Sequence, residues 1–368
     1  MNMIRPVMTV LLPIFLIGMI LMPLTMALSE EQEISEKDIA QLKIEALEKS
    51  LGEEGMKNAE QYLKLQASLP DVVKMMPYRS FAFAGTMEGS RSAICRYIDE
   101  MEISEKDKVR YKAGIEDIWE RYPDKITEDD YEFMTEIGPL LVDASLKNYQ
   151  PPPQKWLSTQ HQDYAYYACD GSPYRDYAKN AADDPDNGIM DPLPINRFYN
   201  HYEDGLLHIG GAPGRCNEFT NAAISAANSG NQTAAHERFG YASHYLTDPG
   251  IPFHSTGVIR QGLNAPWNWP SYETTYHAIY EDYVDSQWTS GYSFKDYVQY
   301  NTQSITITDP EEAVEDNAEH SSQYFDYIQV KIAEDPLNFD SDIYVAYYTA
   351  KCVQKSAKYT HGLYDYIM

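Results

Sequence analysis

Hydrophobic and polar positions divide the chain into three zones. Arg5 is followed by an uncharged stretch from Pro6 to Ser29 that carries Val10-Leu11-Leu12 and Ile14-Phe15-Leu16-Ile17. A basic start, an apolar run and small residues near Ala27 give residues 1–27 the pattern of a secretory signal peptide. The run is long for that role, so a retained membrane anchor stays open. Either reading exports the remainder of the chain, and the expected location is secreted or extracytoplasmic.

From residue 28 to about 150 the pattern is that of helices with charged outer faces. Ser35-Glu36-Lys37-Asp38 and Ser104-Glu105-Lys106-Asp107 read as helix starts, because serine caps free N–H groups and acids suit the positive end of the helix dipole. Both belong to a string, Glu-Ile-Ser-Glu-Lys-Asp, that begins at Glu33 and again at Glu102. A repeated cap explains it more simply than an internal duplication. Pro151-Pro152-Pro153 then makes a stiff break before Trp156. Beyond it, residues 218–228 and 233–246 predict helices separated by Ser229-Gly230-Asn231, the second one stopped by Pro249 and Gly250. Two more are expected at roughly 309–333 and 341–366. Sustained strand alternation is hard to find, so the expected fold class is all-α with long loops. Residues 28–150 form a helical amino-terminal region, and 151–368 carry the chemistry.

Composition narrows the function. A chain of 368 residues with 43% hydrophobic and 13% aromatic positions is neither disordered nor collagen-like. The 29 basic and 56 acidic residues leave a net charge of −27. Such a surface repels nucleic acid and anionic lipid unless bound cations reverse the sign locally, which argues against a general basic-patch DNA binder. Cys95, Cys169, Cys216 and Cys352 permit disulfides in an exported chain, but their pairing is unreadable and they lack the close spacing of metal-binding pairs. Asn231-Gln232-Thr233 matches the N-glycosylation acceptor, a pattern short enough to arise by chance.

All nine histidines lie after residue 160. His244 and Asp248 are four residues apart, which on a helix places them on one face, and the Pro249-Gly250 break lets His254 swing back toward it. His277 and Glu281 repeat the same spacing. Neutral imidazole and carboxylate are zinc ligands, and two such pairs with a linking histidine are more specific than one. Upstream stand His161 and Trp156 after the proline break, the acidic loop Asp183-Asp184-Pro185-Asp186, and His201 within Phe198-Tyr199-Asn200-His201-Tyr202-Glu203-Asp204. His208, His236, His320 and His361 lack such company and are expected to be structural or surface residues.

This order of Trp…His, acidic loop, aromatic-flanked His, His-x3-Asp-x5-His and His-x3-Glu resembles the zinc-dependent phospholipase C family and its relatives among single-strand-specific zinc nucleases. The resemblance covers residues 156 to about 300 and leaves 30–150 outside it. It implies a mostly helical catalytic domain holding up to three Zn2+ ions. By that resemblance, the first ion has His201, His244, Asp248 and an acid of the 183–186 loop, with Asp186 favoured over Asp183. His254, His277 and Glu281 would hold the second. Trp156, His161 and a bridging Asp248 would hold the third. In the family a tryptophan at the mature amino terminus binds metal through its free amine and carbonyl, whereas Trp156 is internal, after Lys155. Removal of residues 28–155 would expose that amine and make the leading helices a propeptide. Otherwise Trp156 only packs, and the third site is weak or missing.

The implied activity is metal-assisted phosphodiester hydrolysis, with Asp186 also a base for the attacking water. Substrate indications divide. Phe198 near His201 and the glutamate at 281 resemble the lipases, so a phospholipid substrate met at a membrane surface leads. The short Trp156-to-His161 and long His254-to-His277 intervals resemble the nucleases, and Trp267, Trp269 and Tyr272 are able to stack bases. Single-stranded nucleic acid is therefore the alternative substrate. The third reading is an exported structural protein in which metal only stabilises the fold. No protein partner is expected.

Overall fold

The computed structural model describes residues 39–147, 149, 158–187, 190, 199–256 and 276–368. The expected signal or anchor segment, Trp156, Phe198 and the aromatic loop at 267–272 lie outside them. Among the described residues six helices precede the proline break: α1 (Ile39–Ser68), α2 (Asp71–Lys74), α3 (Arg79–Phe83), α4 (Glu88–Glu100), α5 (Glu105–Arg121) and α6 (Glu128–Leu146). After it come α7 (Ser158–Ala168), α8 (Arg175–Ala181), α9 (Ala212–Asn228), α10 (Gln232–Thr247), α11 (Tyr276–Ser286), α12 (Lys295–Gln299), α13 (Pro310–Ser322), α14 (Phe325–Glu334) and α15 (Ile343–Ile367). Among the described residues there is no strand, only an isolated antiparallel bridge between Glu203 and Gly210. The chain is all-α. No helix among the described residues is long and apolar enough to cross a membrane. The four cysteines are free, and only Cys95 is not fully buried.

Caps explain the boundaries. Ser104 Oγ accepts a hydrogen bond from the Asp107 N–H at 3.1 Å, and Asn231 Oδ1 accepts from Ala234 N–H at 3.2 Å, so both serve as N-caps. Helix α9 begins at Ala212, six residues before the expected start, because Pro213 occupies its first turn, where a missing N–H costs nothing. The single helix expected over 309–333 is two. Tyr62 reaches in from α1 and donates its hydroxyl to Gln323 O at 2.6 Å, while the Tyr327 N–H points at the same hydroxyl at 3.3 Å. The hydroxyl thus takes the place of the backbone bond that would join α13 to α14.

Helices on both sides of the proline break share one apolar core. Ile44, Val73, Phe81, Ile115 and Met134 pack in the same cluster as Phe253, Tyr280, Phe325, Tyr348 and Val353. Residues 37–368 accordingly group as one compact unit. Polar ties reinforce it: Tyr97 donates to Glu334 O at 3.0 Å and Ser145 meets Tyr276 through their hydroxyls at 2.6 Å. The Arg79 guanidinium and the Asp326 carboxylate form a buried pair, with Nε–Oδ2 at 2.7 Å and relative exposures of 2% and 0%.

A second apolar cluster, with Ala178, Phe239, Tyr245 and Leu246, lies under helices α8 and α10. Their close approach needs Gly240, since a Cβ there would sit 2.4 Å from Ala178 O. This brings the loop after α8, with Asp183 and Asp186, against the end of α10. That end is finished from α13: the Asn317 amide donates to Leu246 O at 3.0 Å and the Ser321 hydroxyl donates to Pro249 O at 2.5 Å. Terminal carbonyls that would otherwise be buried unpaired are satisfied, which holds His244 and Asp248 in place.

Candidate metal centre

The structure brings His161, Asp186, His201, His244, Asp248, His254, His277 and Glu281 into one connected cluster. Asp248 lies at its middle, 2% exposed, at the start of the short turn after α10. Its Oδ2 is 2.6 Å from His201 Nδ1 and 3.2 Å from His244 Nε2, and its Oδ1 is 3.1 Å from His161 Nε2. The carboxylate therefore spans two sets of imidazoles, one per oxygen. Asp186 Oδ1 approaches the first set, at 3.5 Å from His201 Nδ1 and 3.6 Å from His244 Nε2. A further group stands beside it, where Glu281 Oε1 is 3.1 Å from His254 Nε2 and 2.8 Å from His277 Nε2. His254 Nδ1, 3.9 Å from Asp248 Oδ1, links the two.

The hydrogen bonds behind the rings fix which nitrogen is presented. The His244 Nδ1–H donates to Ala182 O at 2.8 Å, and the His254 Nδ1–H donates to His201 O at 3.1 Å. Carbonyls only accept, so both rings turn an Nε2 lone pair toward the cluster. His161 follows by the same logic. The Thr247 hydroxyl donates back to a helix carbonyl, of Ser243 or His244, and its oxygen receives the His161 Nδ1–H at 2.9 Å. Three lone pairs thus face carboxylate oxygens at hydrogen-bond distance. That arrangement is repulsive unless a cation sits between them. His201 has no such anchor behind it: its Nε2 is buried with no hydrogen-bond partner among the described residues.

The surrounding acids also raise the basicity of two of these rings, His244 and His254. Burial pulls the His244 pKa down, but Asp248 and Asp186 outweigh it and lift the value to about 9. For His254, burial is outweighed by the hydrogen bond to Glu281 and by Asp248, again to about 9. Burial opposes ionisation of Asp248, yet His244, His161 and His201 together hold its carboxyl well below the usual range. His201 differs, because burial dominates there and pushes its pKa down. This is a donor set built to receive positive charge.

The donor set fits zinc. It offers imidazole nitrogen and carboxylate oxygen within a few ångströms of one another, with the ring tautomers fixed from behind. Accessibility is graded across it. His161, His244 and Asp248 are sealed, whereas the Asp186 and Glu281 side chains are 22% and 26% exposed.

The remaining acids and histidines sort differently. Asp183 accepts from the Gln162 amide with Oδ2 at 3.1 Å, while its buried Oδ1 has no hydrogen-bond partner among the described residues. Burial raises its pKa. Asp184 accepts from the Tyr241 hydroxyl at 3.2 Å. His236 bonds Ser172 and Gln232 O, and burial beside Lys355 and Lys351 pushes His320 down to about 4, which suits the structural roles expected for them. Two contributors escaped the sequence reading. The Ala182 carbonyl leaves no trace in side-chain identity, and Thr247 stood unnoticed inside the His244–Asp248 spacing. Comparison with known proteins finds no family model that matches the chain and no curated protein that matches it.

Proposed function

We propose that the chain is a zinc-dependent phosphodiester hydrolase that acts in phospholipase C fashion, separating a phosphorylated headgroup from a lipid. The observation that carries this reading is the set of three imidazole lone pairs, locked from behind, that face carboxylate oxygens around Asp248 and Glu281. His201, His244, Asp186 and Asp248 would hold one zinc ion, and His254, His277 and Glu281 a second. His161 and the other oxygen of Asp248 would hold a third, completed by Trp156 in the family resemblance. Bound zinc supplies Lewis acidity that brings water toward a pKa of ~7 and polarises phosphoryl oxygens.

The protein's own part is placement and charge. Three carboxylates, Asp186, Asp248 and Glu281, offset only part of the charge of such ions. The cluster then attracts a phosphodiester despite the chain's net charge of −27. Asp186, whose side chain is 22% exposed, would take the proton of the attacking water. The test is hydrolysis of phosphatidylcholine vesicles and of single-stranded DNA by zinc-supplied protein, each with and without a chelator. Release of phosphocholine that stops on chelation is the expected result. DNA cleavage alone would transfer the chain to the nuclease reading, and turnover of neither substrate would overturn both.

A further inference from the structure

A second cluster of potential ligands lies outside the centre around Asp248, on the loop that follows His201. Glu203, His208 and Glu315 offer a carboxylate oxygen, an imidazole nitrogen and another carboxylate oxygen, all within 4.8 Å of one another. Glu203 is 1% exposed, and among the described residues its carboxylate makes no hydrogen bond; its polar neighbour is His208 Nδ1, at 3.8 Å. No lysine or arginine pairs with it there. A buried carboxylate left without a hydrogen bond is costly, and here it points at an imidazole and a second acid.

The loop is shaped to keep it so. Asp204 Oδ1 accepts the N–H groups of Leu206 and Leu207 at 2.9 and 2.8 Å, and Asp204 O accepts that of His208 at 2.8 Å, which folds His208 back over Glu203. Gly210 closes the seat. A Cβ there would lie 1.9 Å from Tyr202 O and 2.6 Å from Glu203 Oε2. Glu315 arrives from α13, more than a hundred residues further along the chain.

The geometry points to a further divalent transition-metal site, of the zinc class, held by Glu203, His208 and Glu315. At bonds of ~2.0–2.2 Å, tetrahedral ligand atoms sit about 3.3–3.6 Å apart, so closing on an ion asks for about an ångström of movement or less. Two carboxylates and one imidazole leave one position for solvent, on the side where His208 is 51% exposed. The site would clamp this loop to α13. The loop is already tied to the main centre, since Glu203 N–H donates to His254 O at 3.2 Å and Gly205 N–H to Ser255 O at 2.9 Å. An ion here therefore braces the loop that carries His201 against the turn that carries His254, a positioning role distinct from catalysis.

The test compares the full chain with a His208→Ala/Glu315→Gln variant in equilibrium dialysis against Zn2+, with bound metal measured per chain. The variant is expected to hold one ion fewer, and the difference does not depend on how much zinc the Asp248 centre holds. In the unaltered protein, zinc is expected to protect the exposed His208 from diethyl pyrocarbonate, read by peptide mass spectrometry. Equal zinc content in the two proteins, or a His208 equally reactive with and without zinc, would overturn the site.

Discussion

Asp248→Asn is expected to remove turnover while leaving the helical fold in place. Asp248 is the group through which His161, His201 and His244 are joined, each within 3.2 Å of one of its oxygens. Asparagine keeps the shape but loses the charge and offers one acceptor instead of two. Loss of a group that merely supports a metal ligand costs ~10–100-fold, and loss of a bridging ligand should exceed that. The matching checks are hydrolysis rate, bound zinc and far-ultraviolet circular dichroism on the same preparation. Lost turnover and lost zinc with an unchanged spectrum fit an enzyme. Collapse of the fold as the only effect would fit a metal that serves stability alone.

Asp326→Ala should be the most destabilising single change away from the centre. It strands the Arg79 guanidinium, 2% exposed, whose remaining partners are the neutral Gln66 side-chain oxygen at 3.2 Å and Lys74 O at 3.5 Å. Breaking one side of a buried pair costs ~3–5 kcal/mol, because the desolvated charge that remains has no compensation. Replacing both partners with apolar residues of similar volume should restore most of the loss. Denaturant unfolding measures both. A loss below ~1 kcal/mol for Asp326→Ala would show that Arg79 finds another partner or reaches water.

The pair also bears on the amino-terminal helices. Arg79 belongs to α3 and Asp326 to α14, so the pair, the inserted Tyr62 hydroxyl and the shared core all cross the proline break. A cut before Trp156 would free one end of the chain without freeing the helices that precede it. Shedding them would uncover Phe325, Tyr348 and their neighbours and leave Asp326 without its counter-charge.

Much of the local structure was legible because its causes are local. Proline, asparagine and serine mark helix ends at Pro249, Asn231 and Ser104, the His277–Glu281 spacing holds within α11, and the His244–Asp248 spacing holds across the end of α10. What the sequence could not convey comes from distant partners. The break between α13 and α14 is made by Tyr62, far upstream, and no glycine or proline marks it. The ring orientations depend on Ala182 O and His201 O, which are backbone groups. His208 looked solitary because Glu315 reaches it only in the fold.

The proposed function requires that the lone pairs around Asp248 and Glu281 be held for metal. Metal analysis of the purified full chain, after zinc loading and exhaustive dialysis, tests it most directly. Retention of more than one zinc ion per chain is expected, with the ions removed by a chelator and fewer of them held by Asp248→Asn. A folded protein that retains no zinc would mean that these imidazoles and carboxylates hold no metal.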